Sequence, residues 1–166
     1  RSRSFNASVD WYHYFGDFQA NLLVEGFYTK LSDPFVLTPP VKDPDGSAYL
    51  IQTRINGSGA KVYGGTLEGK VAYKDKVQLQ AGLTLQRSIY DSPEEWSADE
   101  EHLSEKERYS DKILRTPDVY GYFTATYMPV KAFSIALNGN YTGRMYVPHL
   151  LSEVNGEADV LVQSPD

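Results

Sequence analysis

The chain of 166 residues has a formal net charge of −6, contains no cysteine and is rich in tyrosine. The acidic balance argues against a nucleic-acid partner, which normally demands a basic patch, and the missing thiols exclude a disulfide framework or a cysteine nucleophile. No run of about 18 apolar residues occurs, which excludes a transmembrane helix but not membrane strands, since these are only half apolar.

Two alternating runs open the chain, joined by a tight turn at Gly16-Asp17. Successive side chains of a strand point to opposite faces, so alternation predicts a strand with one apolar side. In the first run the apolar face carries Phe5, Ala7, Val9, Trp11 and Phe15, and the polar face carries Ser4, Asn6, Ser8, Asp10, Tyr12 and Tyr14. The second run, from Phe18 to Glu25, continues the same pattern.

Four further runs have this period, at residues 63–73, 77–89, 118–127 and 133–142. The predicted turns are Lys74–Lys76 and Met128–Val130, whereas residues 31–47, 91–114 and 146–159 form long connections. The third strand is expected to start early, around residues 48–55, and to pass through a glycine-rich bulge or bend at 56–59. Residues 160–162 are expected to begin a seventh strand. No helix of useful length is predicted.

Short turns on one side of the strands and long loops on the other are typical of outer-membrane barrels. The runs of about 9–13 residues match the length that a tilted strand needs to cross the hydrocarbon. The alternative is a soluble antiparallel sheet with one packed face. The glycine and alanine of the apolar face and the Asn, Gln, Thr and Tyr of the polar face favour the membrane barrel over that alternative.

Several segments resemble TonB-dependent outer-membrane receptors. Residues 59–69 are similar to the family's pattern of a small residue, Ala, a basic residue, then Gly and Glu. Arg115-Thr116-Pro117 resembles the R-x-P that opens a late strand, residues 138–149 resemble the strand after it, and Gln163-Ser164-Pro165 is similar to the approach to the next one. The succession covers nearly the whole chain and is closest to receptors for metal chelates and cobalamin.

The resemblance implies a barrel of about 22 strands with a plugged lumen. Residues 1–166 are then expected to be an all-β fragment of one barrel domain, an antiparallel up-and-down meander of six to seven strands that is open if isolated. The plug domain, the TonB-binding segment and the final strand are expected to lie outside it. The implied partners are outer-membrane lipid, the plug, TonB indirectly and an extracellular small-molecule ligand.

The implied function is active import of a scarce ligand, such as an iron–siderophore, haem or a cobalamin-like chelate, at the bacterial outer membrane. Two alternatives stay open: a soluble or surface β-sheet module that binds a ligand, and a porin or adhesin barrel without a plug. A plug domain would distinguish a receptor from the second alternative, and a second layer over the apolar face would indicate the first.

Aromatic, basic and histidine side chains of the predicted extracellular loops and strand exits are the candidate ligand contacts: Trp96, Tyr109, Arg144, Tyr146 and His149. The acidic loop 91–114 could instead be a solvated loop or hold Ca²⁺, although its spacing does not match the 12-residue calcium loop. Glu25, Glu68 and Lys70 are expected to face the lumen, where they contact a plug or substrate or form ion pairs with each other. No catalytic motif, metal site or cofactor site is predicted.

Overall fold

The computed structural model describes residues 1–42, 45, 50–152 and 156–164, and the protein is all-β in this part of the chain. Six long strands dominate it: β1 (Ser2–Phe15), β2 (Phe18–Leu31), β7 (Ala60–Tyr73), β8 (Val77–Glu95), β10 (Val119–Val130) and β11 (Phe133–Thr142). They form one antiparallel sheet in the order β1-β2-β7-β8-β10-β11, so each strand lies beside the next long strand of the sequence. The predicted meander is confirmed.

Short strands occupy the long connections. They are β3 (Phe35–Leu37), β4 (Val41–Lys42), β5 (Leu50–Ile51), β6 (Arg54–Asn56), β9 (Tyr109–Lys112), β12 (Tyr146–His149) and β13 (Val160–Gln163). β3 pairs with β6 and β4 with β5, while β9 extends the far end of β8. Where the third strand was expected to start early, the chain instead forms β5 and β6, which belong to two separate strand pairs, and Gly59, at a φ of +109°, bends the chain into β7. Residues 48 and 49 lie outside the described part.

The strand register separates the two faces across the whole sheet. One row aligns Val9, Val24, Leu67, Leu83, Gly121 and Tyr141. The adjacent row on the opposite face aligns Ser8, Glu25, Thr66, Thr84, Tyr120 and Thr142. Because the alternation has a period of two, a register slip by one residue in any strand would mix these rows. The predicted face assignments of the alternating runs are thus confirmed.

The apolar face is the more exposed of the two. Leu83 is 44% exposed and Leu137 is 61% exposed, whereas Thr84 and Ser88 on the polar face are 7% and 6% exposed. Among the described residues, the only buried hydrophobic side chains are Ala60 and Trp96. The described chain therefore supplies no layer over the apolar face, which is the reverse of a sheet that packs its own core.

Two connections differ from their predictions. The turn placed at Met128–Val130 lies at Lys131 and Ala132, because Val130 still pairs with Phe133 after an irregularity in the register. Proline at 129 lacks an N–H for the ladder, which fits an irregularity there. The predicted seventh strand does form, as β13, but it pairs with β12 in a separate hairpin instead of joining the main sheet.

A single turn of helix, α1 (Glu105–Arg108), was not expected. The carboxylate of Glu107 accepts hydrogen bonds from the backbone N–H of Ser104 at 3.0 Å and from its hydroxyl at 2.6 Å. The Ser-x-x-Glu spacing of a capping box is visible in the sequence and could have predicted this helix start. Among the described residues, no helix is long and apolar enough to cross a membrane.

Candidate functional site

Two adjoining cavities lie where the long connections meet the end of β8. The first, of about 200 Å³, is called the polar cavity here and is lined by the charged residues Arg87, Lys112, Arg144, Asp111 and Asp118, among others. The second, of about 740 Å³, is called the open cavity and is lined by Pro93, Lys106, Tyr109 and Leu161 among others. Asp111, Lys112 and Tyr146 line both, so the two cavities lie next to each other.

The segment between β9 and β10 forms one wall of the polar cavity. β9 pairs with β8 up to Ile89, and β10 rejoins β8 at Leu85. Between these points the chain is held by bonds from Ile113 N–H to the Ser88 carbonyl at 3.2 Å and from Gln86 N–H to the Asp118 carbonyl at 2.8 Å. The segment bows away from β8 in between, which leaves space beside Ser88.

Arg115 fixes the middle of this bowed segment. It adopts a φ of +56°, which is uncommon for a residue with a side chain. Its N–H donates to the carbonyl of Tyr146 at 2.8 Å and so ties the segment to β12. The Arg-x-Pro motif singled out in the sequence is therefore a structural corner that positions the cavity wall.

The electrostatics of the polar cavity combine three cations with two carboxylates. The ammonium of Lys112 lies 4.1 Å from the centre of the Tyr146 ring, close enough for a cation–π interaction. The hydroxyl of Ser88 is buried at the cavity wall and has no hydrogen-bond partner among the described residues. Burying a hydroxyl group without a hydrogen-bond partner lowers the free energy of unfolding by about 1–3 kcal/mol.

Three of the five predicted ligand contacts meet at this site. Arg144 and Tyr146 line the polar cavity, and Tyr109 and Tyr146 line the open one. Trp96 has a different place: it is only 9% exposed, and its indole N–H donates to the carbonyl of Glu107 at 2.8 Å. His149 lies exposed on β12 and lines neither cavity. Ligand contact by any of them stays a prediction.

A buried group of polar side chains, called the loop clasp here, ties the acidic loop to the segment before β13. It consists of Ser97, Asp99 and Asp159, all at most 5% exposed. The Ser97 hydroxyl donates to Asp159 at 2.6 Å, and the Asp159 N–H donates to the Asp99 carboxylate at 3.0 Å. Asp159 also accepts the N–H groups of Leu151 and Ser152, at 2.7 and 2.9 Å.

His102 lies beside the loop clasp, with its Nδ1 2.9 Å from the Asp99 carboxylate. This hydrogen bond raises the pKa of His102 above its ordinary value, against the opposing effect of desolvation. Burial raises the pKa of Asp99, but hydrogen bonds from Asp159 and His102 outweigh it, so the pKa of Asp99 is lowered. Burial likewise raises the pKa of Asp159, but the hydrogen bonds from Ser152, Ser97 and Leu151 outweigh this effect. The pKa of Asp159 is therefore lowered.

The three residues expected to face the lumen lie on the polar face. Glu68 is held by Gln80, whose amide donates to it at 2.8 Å, and by the hydroxyl of Tyr122. Gln80 also donates to the Tyr122 oxygen at 3.0 Å, so three strands share one network. Glu25 aligns with Thr66, and Lys70 aligns with Gln80, without an ion pair between the predicted residues. The described partners of Glu68 are thus neutral side chains, and the contact of the three residues with a plug or substrate stays a prediction.

Ser97 donates to Asp159, and the His102 nitrogen faces Asp99 instead of the serine, so these residues do not form a serine–histidine–aspartate triad. Within the described residues, no group of three or more metal-binding side chains is arranged to hold an ion. Comparison with protein-family models, curated proteins and solved structures finds no match to this chain.

Proposed function

We propose that the chain forms part of the wall of a TonB-dependent outer-membrane receptor, which binds a scarce metal chelate or cobalamin-like ligand and imports it. The observation that carries the proposal is the inverted burial of the sheet. Six strands present a continuous apolar face that no described residue covers, while the polar face buries hydroxyls such as Thr84 and Ser88. Lipid is the environment in which an uncovered apolar face of this size is stable.

Strand length supports the same proposal. β1, β2 and β7 each contain 14 residues. At about 3.3 Å per residue and a tilt of about 45°, such a strand spans about 33 Å, close to the roughly 30 Å of a hydrocarbon core. In a closed barrel the outer edges of β1 and β11 pair with neighbouring strands, because open edges are not stable in lipid.

Aromatic side chains lie at the end of the strands where the short turns are. The Phe18 and Tyr73 rings are in contact, with centroids 4.6 Å apart, and Trp11 stacks on His13 at 5.3 Å. Rings with an apolar body and a polar tip settle at membrane–water interfaces. In the proposed receptor this end faces the periplasm, and the long connections with the two cavities face outward, where they meet the ligand.

Spin labels on adjacent strand positions test the membrane location. The chain has no cysteine, so Leu83→Cys and Thr84→Cys place a nitroxide on opposite faces of β8. In the intact protein in lipid vesicles, we expect the label at 83 to be more accessible to oxygen and the label at 84 to a water-soluble nickel chelate. The soluble alternative is indicated instead if the label at 83 responds to the nickel chelate as strongly as the label at 84.

Uptake assays test the receptor part of the proposal. Cells that express the intact protein are expected to accumulate ferric or cobalamin chelates only when TonB and the proton-motive force are present. A plug-less porin would let small solutes enter without either. Uptake that persists after deletion of TonB would therefore contradict a receptor while leaving the membrane location intact.

A further inference from the structure

We propose that the polar cavity binds a zwitterion, namely the α-ammonium and α-carboxylate groups of an amino acid whose apolar side chain points towards the open cavity. The polar cavity of about 200 Å³ has room for roughly six waters at about 30 Å³ each, which is too little for a metal chelate. The inference therefore concerns a second kind of ligand. It does not depend on the proposed membrane location, because it rests only on residues that line the two cavities.

The buried hydroxyl of Ser88 indicates that the wall of the polar cavity contacts a ligand. Ser88 is 6% exposed, lines the cavity and has no hydrogen-bond partner among the described residues. Most buried polar groups in proteins have such a partner, because burial without one is unfavourable. A hydroxyl group both donates and accepts, so this one can donate to a carboxylate or accept from an ammonium group.

Charged side chains of both signs line the same cavity without pairing with each other. The positive ones are Arg87 and Lys112, and the negative ones are Asp111 and Asp118. None of these four forms an ion pair with another described residue. Arg144 also lines the cavity but already takes part in another interaction. A ligand with a single charge would match one sign and lie beside a like charge, whereas a zwitterion matches both.

The two walls of the cavity indicate where each charged group of the ligand binds. Arg87 belongs to β8, and its guanidinium offers paired N–H donors that match the two oxygens of a carboxylate. Asp111 lies just before residues 113–118, the segment that bows away from β8, and Asp118 lies at its end. We therefore assign the α-carboxylate to Arg87 and the α-ammonium to the two aspartates.

The open cavity provides the surface for the side chain of the ligand. Lys112 and Tyr146 line both cavities, which lie side by side. Beyond this shared wall the open cavity is lined by Pro93, Tyr109 and Leu161, which offer apolar surface. Removal of apolar surface from water favours binding, so leucine is expected to bind more tightly than glycine.

Calorimetric titration of the purified intact protein with matched small molecules tests the proposal. The probes are L-leucine, N-acetyl-L-leucine, which lacks the positive charge, L-leucinamide, which lacks the negative charge, and glycine. At about pH 6 the amino group of leucinamide is protonated. We expect saturable binding of leucine, at least tenfold weaker binding of both singly charged analogues and at least threefold weaker binding of glycine. Absence of saturable leucine binding, or equal affinity for either singly charged analogue, would overturn the proposal.

Charge variants test the two assigned contacts separately. Arg87→Gln is expected to weaken leucine binding at least tenfold without loss for leucinamide. The double variant Asp111→Asn, Asp118→Asn is expected to weaken leucine binding by a similar factor without loss for N-acetyl-leucine. The matched controls are Lys76→Gln and Asp75→Asn, at exposed positions of the short turn at the opposite end of β8. Parental affinity for leucine in Arg87→Gln or in the double variant would contradict the assignment.

Ser88→Ala separates a role in binding from a role in folding. It removes a buried hydroxyl that has no described partner, so the urea midpoint of the ligand-free protein is expected to rise. Leucine binding is expected to weaken at least threefold. A lower urea midpoint with parental affinity for leucine would show that the hydroxyl serves the fold alone, and would contradict its place in the site.

The two proposals fail independently of each other. Leucine binding together with a water-exposed label at position 83 would keep the amino-acid site and refute the membrane location. A lipid-facing label at position 83 without leucine binding would refute the amino-acid site and keep the membrane location.

Discussion

The hydroxyl of Tyr122 on β10 donates a hydrogen bond to the carboxylate of Glu68 on β7, which also accepts one from Gln80 on β8. Replacing it by Tyr122→Phe removes the donor and leaves Glu68 with the Gln80 amide alone. Hydrogen bonds to charged groups contribute about 1.5–3 kcal/mol. We expect the free energy of unfolding to fall by about 1–3 kcal/mol, measured by urea titration in lipid vesicles.

Tyr120→Phe is the matched control for this change. Tyr120 lies on the same strand and the same face, and it is 38% exposed. Its loss of a hydroxyl is expected to change the free energy of unfolding by less than about 0.5 kcal/mol. Equal effects of the two substitutions would show that the network around Glu68 contributes nothing to stability.

Glycine at position 64 permits the close approach of β7 and β8. A Cβ there would lie 2.2 Å from the carbonyl oxygen of Leu85, so Gly64→Ala must push the two strands apart. Overpacking of this kind costs about 1–3 kcal/mol. At Gly69, on the same strand, a Cβ meets nothing within 4 Å, and Gly69→Ala is expected to be neutral or slightly stabilising. Urea unfolding of both variants measures the difference.

At the scale of elements, the loop clasp gives the stability of the long connections a pH dependence with an acid limb and a basic limb. The pKa values of Asp99 and Asp159 are lowered in the folded protein. Their contribution to stability is present above the ordinary aspartate pKa and is lost as the pH falls through the lowered values. The pKa of His102 is raised, so its contribution is present below about 6.5 and is lost as the pH rises through the raised value.

Trp96 reports the state of the clasp, because it is buried next to Ser97 while Trp11 is 49% exposed. In a Trp11→Phe background, we expect blue-shifted emission between about pH 4 and 6.5. Below this pH range the emission of Trp96 is expected to shift to the red as Asp99 and Asp159 become protonated. Above it a smaller red shift is expected as His102 loses its proton. Asp159→Asn should shift the emission to the red throughout, and Glu101→Gln, at an exposed position of the same loop, should not. Emission independent of pH would contradict the role of the clasp.

The sequence predicts an element well when neighbouring residues determine its structure, and poorly when a contact between residues far apart in the sequence determines it. The faces of the long strands are decided locally, by side chains that alternate every residue, and the registers of Phe5, Val9 and Trp11 agree with the alternation. The loop clasp is decided by a contact between Ser97 and Asp159, which are 62 positions apart. No local pattern encodes it. The pairing of β12 with β13, in place of the main sheet, was missed for the same reason.

The candidate site shows the same division. Arg144 and Tyr146 were selected because they follow a strand exit, and both reach the polar cavity. Arg87 was not among the predicted ligand contacts. Its position beside a cavity depends on the bow of residues 113–118, which is set by the pairing of β9 and β10 with β8. The burial of Trp96 depends on the carbonyl of Glu107 across the loop, which composition alone cannot indicate.

For the whole molecule, the exposed apolar face is the property with the largest energetic consequence. Leu137→Arg places a cation on that face, where the strand centre is expected to meet the hydrocarbon, and Asn138→Arg places the same cation on the opposite face one residue later. We expect the free energy of unfolding in lipid vesicles to fall by about 2–4 kcal/mol for Leu137→Arg. For Asn138→Arg a change of less than about 1 kcal/mol is expected.

A soluble sheet would give another result. Leu137 is 61% exposed, and an arginine at a water-exposed strand position changes stability by about 0.5 kcal/mol or less. Similar small effects of Leu137→Arg and Asn138→Arg would therefore support the soluble alternative. A large effect of both would indicate instead that the polar face is closely covered.

The strictly sequential order of the strands separates the sheet from its long connections. Each long strand pairs with the next, so each connection between long strands begins and ends on adjacent strands of one sheet. Closing a loop costs only about 0.6 kcal/mol more for each doubling of its length. The long connections can therefore lengthen, shorten or change composition without a change of strand register in the sheet. Such a sheet could be recombined with new connections while its own strand pairing stays the same.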